Sequence, residues 1–180
     1  RPRDWSSDVC SADLQGAPVV LVQRFDPSPA LDTFVERGVT VVPGAPPMWV
    51  AFSHFDEVPA NAFSGVRLAL TGAAKMNEDA MRRLKDRFGV TVLEGYGLTE
   101  AAPIVTSSAG LSQRIGSVGR VLPGMQVRIV DERGDDALRG DTGEVWVKGP
   151  NVFKGYLGEP EATRRVLDDD GWLHTGDIAI

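Results

Sequence analysis

Two hydrophobic periods alternate along the first half of the chain, one typical of strands and one typical of helices. The apolar or β-branched runs that predict strands lie at residues 18–22, 39–42, 66–71 and 90–93. The helical spacing of apolar positions recurs at residues 31–35, 48–55 and 80–88. Residues 18–22 (PVVLV) are wholly apolar, as in a strand that is buried on both faces. Strands separated by helices indicate right-handed crossover connections and a parallel sheet.

Local signals mark the ends of two of these helices. Asn77 can cap the third helix, and Glu78 and Asp79 lie in its first turn, where the helix dipole favours negative charge. Gly89 follows the last turn of the same helix, and Gly38 follows the first helix. Glycine is expected just beyond a helix C-terminus, because the chain there often turns into the left-handed region.

The pattern changes after the third helix and fourth strand. Residues 101–117 are rich in Ser, Ala and Gly and are predicted to form a connector. Short β-branched or alternating runs at 127–130 and 144–148 predict strands, and residues 160–167 predict a short helix. Without long helices between them, these strands favour a small antiparallel sheet or barrel.

The chain therefore divides into three predicted parts. Residues 1–14 (RPRDWSSDVCSADL) show no helical or strand period and resemble the translated read-through of a sequencing adapter. We interpret them as a non-native segment, with a genuine polar arm as the alternative. The predicted fold class is α/β, with a partial parallel α/β subdomain at residues 15–103 followed by a small antiparallel β subdomain at 104–180.

Composition and charge narrow the class of protein. The 180 residues are 42% hydrophobic and 24% charged, as in globular proteins. The net charge of −6 argues against nucleic acid as a partner, because binding of the nucleic acid backbone through counterion release needs clustered basic residues. The single cysteine allows no internal disulfide. With no apolar run long enough to span a bilayer, we expect a cytoplasmic protein and leave open peripheral contact with a membrane.

Two glycine-containing segments follow strands that are separated by one helix. One is GAA at residues 72–74, and the other is GYGLTE at residues 95–100. If the strands are parallel, both segments lie at the carboxyl edge of the sheet, where open sheets bind ligands. Tyr96 offers a face for base stacking, and Thr99 and Glu100 supply hard oxygen atoms for phosphate or Mg²⁺. The pattern predicts a nucleotide pocket; tight turns with a core tyrosine and a solvated glutamate are the alternative.

Four segments resemble signatures of the adenylate-forming, or AMP-binding, superfamily. They are GYGLTE at 95–100, IGSVGRVLPG at 115–124, GEVWVKGPNVFKGY at 143–156 and GWLHTGD at 171–177. The runs GLTEAAP at 97–103 and GPNVFKGY at 149–156 look most like those of fatty acyl-CoA synthetases (long-chain acyl-CoA ligases). Leu98 counts against peptide-synthetase domains, which usually have proline at this position. The resemblance implies that the chain is part of the large N-terminal domain of such an enzyme.

The resemblance also implies a site for ATP or AMP. Tyr96 and the backbone of residues 72–74 would enclose the adenine ring. Glu94 or the Gly95 backbone would meet the adenine amine, and Asp177 would accept both ribose hydroxyl groups. The implied nucleotide-binding residues are Gly72, Ala73, Ala74, Glu94, Gly95, Tyr96, Gly97, Leu98, Thr99 and Asp177.

The implied chemistry needs Mg²⁺ and CoA as well as ATP. Thr99 would hold phosphate and Glu100 would bind Mg²⁺, and these two are the implied catalytic residues. Ala73 and Gly97 would border the acyl pocket. A fatty acid carboxylate would attack the α-phosphorus of ATP, and the thiol of CoA would then displace AMP. An acyl-AMP ligase or adenylation domain that loads another acceptor, and a non-catalytic nucleotide- or acyl-binding module, are the alternatives.

Two parts of the family's machinery are not recognised in residues 15–180. One is the Ser/Thr/Gly-rich phosphate loop, and the other is the C-terminal lid with its catalytic lysine. We therefore expect the chain to be a fragment that is inactive by itself in ATP–pyrophosphate exchange.

Other conspicuous residues are expected to be structural. Trp49 could line an acyl tunnel, but core packing is the preferred interpretation. Trp146 and Trp172 are expected to anchor the core of the β subdomain, and His174 is assigned no proton transfer. Residues 168–171 (DDDG) lack the alternating ligands of a calcium loop and are interpreted as a solvated turn.

Overall fold

The computed structural model describes residues 16–59, 61–112 and 114–180. The segment interpreted as non-native, residues 1–14, lies outside the described residues. The chain divides into two compact units. The first unit runs to Gly95 and includes Ser108–Gly119, and the second comprises Tyr96–Ser107 and Arg120–Ile180.

The first unit alternates helices with strands, as predicted. In chain order its described elements are α1 (Pro27–Glu36), β1 (Val41–Pro43), α2 (Pro46–His54), β2 (Leu68–Thr71), α3 (Glu78–Phe88) and β3 (Val92–Gly97), whose last two residues belong to the second unit. β1 pairs with β2 and β2 pairs with β3, all in parallel, so that Leu70 lies beside Leu93. The predicted parallel sheet is confirmed, and β2 and β3 end at the same edge.

The helices begin and end where local signals predict. The Asn77 side chain accepts a hydrogen bond from the Ala80 N–H at 2.9 Å and so caps α3. Gly89 follows α3 with a φ of 68°, and Gly38 lies just beyond α1 with a φ of 61°. These left-handed conformations suit glycine because it has no Cβ. No helix in the described residues is both long and apolar enough to cross a membrane.

An aromatic cluster fills the core of the first unit. Trp49 and Phe52 of α2 are 0% and 1% exposed, and Phe63 packs edge-on against Phe52 with ring centroids 5.6 Å apart. The Trp49 indole N–H donates to the carbonyls of Gly44 at 3.1 Å and Leu70 at 3.0 Å. These bonds satisfy the buried indole and tie α2 to the end of β2. The preferred packing role of Trp49 is confirmed.

The prediction of a strand at residues 18–22 is wrong. This segment is irregular, and no strand in the described residues pairs with it. Val19 is 43% exposed and Leu21 is 76% exposed, so the run is not buried on either face. Apolar composition favours burial, but a strand also needs a neighbouring edge that satisfies its N–H and C=O groups.

The second unit contains the predicted antiparallel sheet. Its described elements after β3 are a short 3₁₀ helix (Thr99–Ala101), β4 (Ile104–Ser107), β5 (Arg120–Val121), β6 (Gln126–Val130), β7 (Gly143–Lys148), α4 (Pro160–Val166) and β8 (Leu173–Ala179). β6, β7 and β8 form an antiparallel sheet in that order, and β4 pairs with β5 in antiparallel fashion. The whole is a mixed α/β fold, as predicted.

Two boundaries around residue 100 differ from the prediction. β3 continues to Gly97, so the first three residues of the segment at 95–100, predicted to follow the strand, are strand residues. β4 lies inside the predicted connector at residues 101–117. Val105 of β4 is completely buried, and Thr106 accepts a hydrogen bond from the Tyr96 N–H at 3.3 Å. The small and polar residues of this segment do not predict a strand, because β4 is stabilised by burial and by hydrogen bonds to neighbouring strands rather than by its own composition.

The two tryptophans of the second unit are not core anchors. Val145 and Val147 of β7 are 5% and 0% exposed, whereas Trp146 lies between them on the other face of the strand. The Arg128 guanidinium lies 5.5 Å from the Trp146 ring and 5.4 Å from the Trp172 ring. Both indoles therefore belong to a half-exposed cation–π cluster, and for Trp146 the alternation of β7 explains why the prediction was wrong.

Candidate functional site

Three small residues follow β2 at the edge where β2 and β3 end. A Cβ added at Gly72 would lie 3.5 Å from the Gly95 carbonyl oxygen, so these two segments approach closely. Ala73 has a φ of 68°, a left-handed conformation that non-glycine residues rarely adopt and that is found disproportionately at ligand sites. Ala73 and Ala74 are exposed. This edge therefore presents backbone and small side chains to any ligand.

Glu94 holds this segment from the neighbouring strand. Glu94 is only 8% exposed, and its Oε1 accepts a hydrogen bond from the Met76 N–H at 3.1 Å. Its backbone carbonyl accepts bonds from the Ser108 N–H at 3.0 Å and the Ser108 hydroxyl at 2.6 Å. The structure thus places the Glu94 carboxylate against the chain just beyond Ala74. Met76 and Ser108 were not singled out by the sequence, which carries no local signal for either contact.

In the second unit, Tyr96 and Asp177 are joined across 81 residues of sequence. The phenol O–H donates to Asp177 Oδ2 at 2.6 Å. Burial of the phenol, its hydrogen bond to Asp177 and the negative charge there raise the pKa of Tyr96 to about 12. Tyr96 therefore keeps its proton and remains the donor at neutral pH.

The part of β8 that carries Asp177 is held by β7. The Gly176 N–H donates to Glu144 Oε1 at 2.8 Å, and the Thr175 hydroxyl donates to the Val145 carbonyl at 2.7 Å. The Asp177 N–H in turn donates to Thr175 Oγ1 at 3.1 Å. Asp177 is exposed, so its carboxylate is oriented yet reachable from solvent. The supporting roles of Glu144 and Thr175 were missed, although both lie inside the motifs that the sequence displayed.

Gly97 and Leu98 contribute backbone and packing. A Cβ at Gly97 would lie 1.9 Å from the Pro103 carbonyl oxygen and 2.9 Å from Ile104 Cα, so this position admits no side chain. The Leu98 side chain packs against the apolar cluster of the second unit, which includes Val105. Tyr96 packs against the same apolar cluster, so two of the predicted nucleotide-binding residues have side chains that also contribute to packing of the second unit.

Thr99 and Glu100 begin the 3₁₀ helix. Thr99 is exposed, and Glu100 Oε1 accepts a hydrogen bond from the Tyr156 phenol at 2.7 Å. This hydrogen bond raises the pKa of Tyr156. A hydroxyl and a carboxylate are hard oxygen donors, which fits Mg²⁺, an ion that keeps few protein ligands and completes its shell with phosphate and water. Tyr156 was missed as a site residue, although it is the final residue of the motif at 143–156.

His174, which also lies in β8, makes structural contacts. Its ring stacks on Trp146 with centroids 3.7 Å apart and planes inclined by 10°. Its Nε2 lies 3.2 Å from Asp168 Oδ2, and Asp168 also accepts the Trp172 N–H at 2.8 Å. Asp168 therefore closes the turn at residues 168–171. Among the described residues, no group of three or more His, Cys, Asp or Glu side chains could hold a metal ion by itself.

The predicted site residues are thus assembled within each unit. The first unit brings residues 72–74 together with Glu94 and Gly95 at one edge of the parallel sheet. The second unit brings Tyr96 together with Asp177, and it holds the carboxylate of Glu100 by a hydrogen bond. The aromatic ring of Tyr96, the carboxylates of Asp177 and Glu100 and the bare backbone at residues 72–74 are groups that can bind a nucleoside and its phosphates.

Comparison with known proteins reveals similarity over most of the chain. The profile of a family described as AMP-binding enzyme matches residues 4–157. Feruloyl-CoA synthase of Amycolatopsis sp. is 40% identical over 168 residues, covering 92% of this chain and 34% of its own length. 4-Coumarate–CoA ligase 3 of Oryza sativa subsp. japonica is 34% identical over 172 residues, covering 92% and 31%. The chain thus spans about a third of the length of these curated relatives.

Solved structures are similar in fold to this chain. Apo MatB from Rhodopseudomonas palustris superimposes with a TM-score of 0.82 at 36% identity, covering 90% of this chain and 32% of that protein. O-Succinylbenzoate Coenzyme A synthetase (MenE) from Bacillus subtilis, in complex with ATP and magnesium ion, gives a TM-score of 0.81 at 26% identity, covering 95% and 35%. The mixed α/β fold described above is the one that these proteins share.

Proposed function

Because the chain belongs to the AMP-binding enzyme family, we propose that it is the part of an adenylate-forming acyl-CoA ligase that binds the nucleotide. The complete ligase would couple a carboxylic acid to CoA at the expense of ATP. The observation that carries this proposal is the Tyr96–Asp177 pair, in which an aromatic face and an exposed carboxylate are held together by a 2.6 Å hydrogen bond. Both residues lie in segments that resemble the family's signatures.

The adenosine contacts follow from these two side chains. The Tyr96 ring is a stacking surface for adenine, an interaction worth about 1–3 kcal/mol per base. The Asp177 carboxylate can accept from two neighbouring hydroxyl groups at once, which suits the ribose diol. In the first unit we assign the backbone of residues 72–74 and of Gly95 to adenine. The Glu94 carboxylate already bonds to the Met76 N–H, so we favour the Gly95 backbone for the adenine amine.

The phosphate contacts are assigned to the 3₁₀ helix. We propose that Thr99 donates its exposed hydroxyl to phosphate and that Glu100 supplies a carboxylate ligand for Mg²⁺. The bound ion would neutralise negative charge on the phosphates. The chain's own contribution is to hold these oxygen atoms in place, since catalysis of this kind depends on positioning and charge stabilisation.

The proposed reaction has two displacements. An oxygen of the substrate carboxylate attacks the α-phosphorus of ATP, and the bond to pyrophosphate breaks, leaving acyl-AMP. The thiol of CoA then attacks the acyl carbonyl, loses its proton, and releases AMP with its phosphate oxygen as the leaving group. Gly97, which cannot carry a side chain, and Ala73 are proposed as small residues bordering the acyl group.

The acyl group is proposed by chemical class. Relatives named for ferulate and 4-coumarate favour an aromatic carboxylic acid, and we propose this class first because feruloyl-CoA synthase is 40% identical to the chain. The resemblance of the motif at 95–100 to fatty acyl-CoA synthetases makes a fatty acid the second candidate. Stable acyl-AMP analogues carrying a feruloyl or a palmitoyl group distinguish the two, because only the correct acyl group should bind more tightly than AMP.

Calorimetric titration of the 180-residue chain with AMP tests the nucleotide site. We expect Tyr96→Ala to weaken AMP binding by about 5- to 150-fold, the equivalent of one lost stacking contact. Asp177→Ala should weaken it by about 10-fold or more, since it removes hydrogen bonds to a charged acceptor. Leu138→Ala, at a residue that is 77% exposed in the second unit, is the control and should leave affinity unchanged. AMP binding that survives both site substitutions contradicts the proposed pocket.

A further inference from the structure

The segment at residues 151–156 (NVFKGY), which we call the brace, bonds repeatedly to the chain that carries Glu100. The Asn151 side-chain amide donates to the carbonyls of Ala101 at 2.6 Å and Ile104 at 3.0 Å. The Phe153 N–H donates to the Glu100 carbonyl at 2.7 Å. The phenol of Tyr156 then reaches the Glu100 side chain itself. The brace therefore fixes both the backbone and the carboxylate of Glu100.

Tyr156 is itself held from two sides. Its N–H donates to Thr163 Oγ1 of α4 at 2.9 Å. Gly155, with a φ of 135°, lies so close to Thr163 that an added Cβ would come within 2.6 Å of its methyl group. The Phe153 ring meets the Tyr156 ring at a centroid distance of 4.9 Å with planes inclined by 76°. These contacts restrict the position of the phenol, although the residue is 38% exposed.

Because the partner of Glu100 is a neutral phenol, the carboxylate keeps its negative charge. Within the part of the chain that the structure describes, no Lys or Arg forms an ion pair with this carboxylate. A cationic partner would neutralise the charge that attracts a divalent ion. A neutral O–H instead restricts the side chain through one oxygen, Oε1, and leaves the negative charge and the second oxygen for a cation.

We propose that Tyr156 is a positioning residue that presents the Glu100 carboxylate to a divalent cation on the phosphates of the nucleotide. This inference rests on the proposed function, in which Glu100 is the Mg²⁺ ligand. It adds a role for the brace, which belongs to a motif that the nucleotide contacts do not otherwise use. Tyr156 touches neither nucleotide nor metal in this role and acts through Glu100.

The experiment is calorimetric titration of the 180-residue chain with ATP, in the presence and absence of Mg²⁺. The ratio of the two affinities is the metal-dependent gain. We expect Tyr156→Phe to reduce this gain by about 2- to 10-fold, as for the loss of one hydrogen bond, and to leave metal-free AMP affinity unchanged. The variant keeps the ring that packs against Phe153, so the fold should be retained. Leu157→Ala, at the neighbouring residue that is 102% exposed, is the matched control and should keep the full gain.

A Glu100→Gln background separates positioning from a general structural effect. If Tyr156 acts through the carboxylate, Tyr156→Phe should cause no further loss in the metal-dependent gain once Glu100 is Gln. The proposal is overturned if Tyr156→Phe keeps the full gain, weakens ATP equally with and without Mg²⁺, or weakens it further in the Gln background. A wild-type chain without a metal-dependent gain, or a gain that Glu100→Gln leaves intact, refutes the assignment of Glu100 and the inference with it.

Discussion

At the scale of single residues, close backbone approaches restrict which side chains the candidate site can contain. Gly97 lies against the carbonyl of Pro103, and the distance of 1.9 Å from an added Cβ to that oxygen is far below van der Waals contact. Ala73 keeps a left-handed φ of 68° although it has a Cβ. Both features lie in segments that the sequence singled out for their small residues. The steric reason for glycine at residue 97, however, depends on a chain segment that folds back beside it.

Gly97→Ala should destabilise the protein by about 2–4 kcal/mol, because the new methyl group overlaps backbone that cannot rotate away. Urea denaturation followed by circular dichroism measures the change in the free energy of unfolding. Gly65→Ala is the matched control, since the added Cβ would meet only the Val39 carbonyl at 3.4 Å. Equal stability of the two variants would show that the chain beside Gly97 can move aside.

At the scale of elements, helices were predicted more accurately than strands. The two ends of α3 depend on residues within a few positions of each end, so Asn77 and Gly89 predict them from the sequence. A strand depends on a partner that is remote in sequence. Residues 18–22 have a strand-like composition without a partner, and β4 has a partner without a strand-like composition. Local patterns therefore misassigned both segments for the same physical reason.

Leu21→Ser tests the exposed state of residues 18–22. Leu21 is 76% exposed, so we expect the free energy of unfolding to change by less than about 0.5 kcal/mol. Leu84→Ala is the comparison variant because Leu84 is 0% exposed, and its loss should cost about 2–5 kcal/mol. A cost for Leu21→Ser that approaches the cost for Leu84→Ala would restore the buried strand that the sequence favoured.

At the scale of the whole molecule, long-range contacts give the protein a characteristic response to alkaline pH. The Tyr96 phenol donates to a carboxylate 81 residues away, and burial together with this bond raises its pKa to about 12 from 10.0. The folded state therefore retains a proton that the unfolded chain releases. This contribution to stability is complete below about pH 10 and is lost as the pH rises towards 12.

Tyr96→Phe should flatten the decline in stability at high pH. Between about pH 9.5 and 11.5, the free energy of unfolding should fall more steeply in the wild type than in Tyr96→Phe, which cannot ionise. Urea denaturation curves recorded at several pH values give both slopes. The second tyrosine, Tyr156, is present in both proteins and cancels in the comparison. Parallel pH profiles would mean that Tyr96 titrates normally in the folded protein.

The sequence by itself determined the alternation of helices and strands, the parallel order of the first sheet and the family motifs, because these are encoded in neighbouring residues. It identified Tyr96 and Glu100 from their position after a predicted strand and from the family motifs, and Asp177 from the motifs alone. Only the tertiary structure decided that Tyr96 bonds to Asp177 and that Tyr156 holds Glu100. Those pairings join residues 81 and 56 positions apart, and no local pattern records which distant side chain folding will bring within hydrogen-bonding distance.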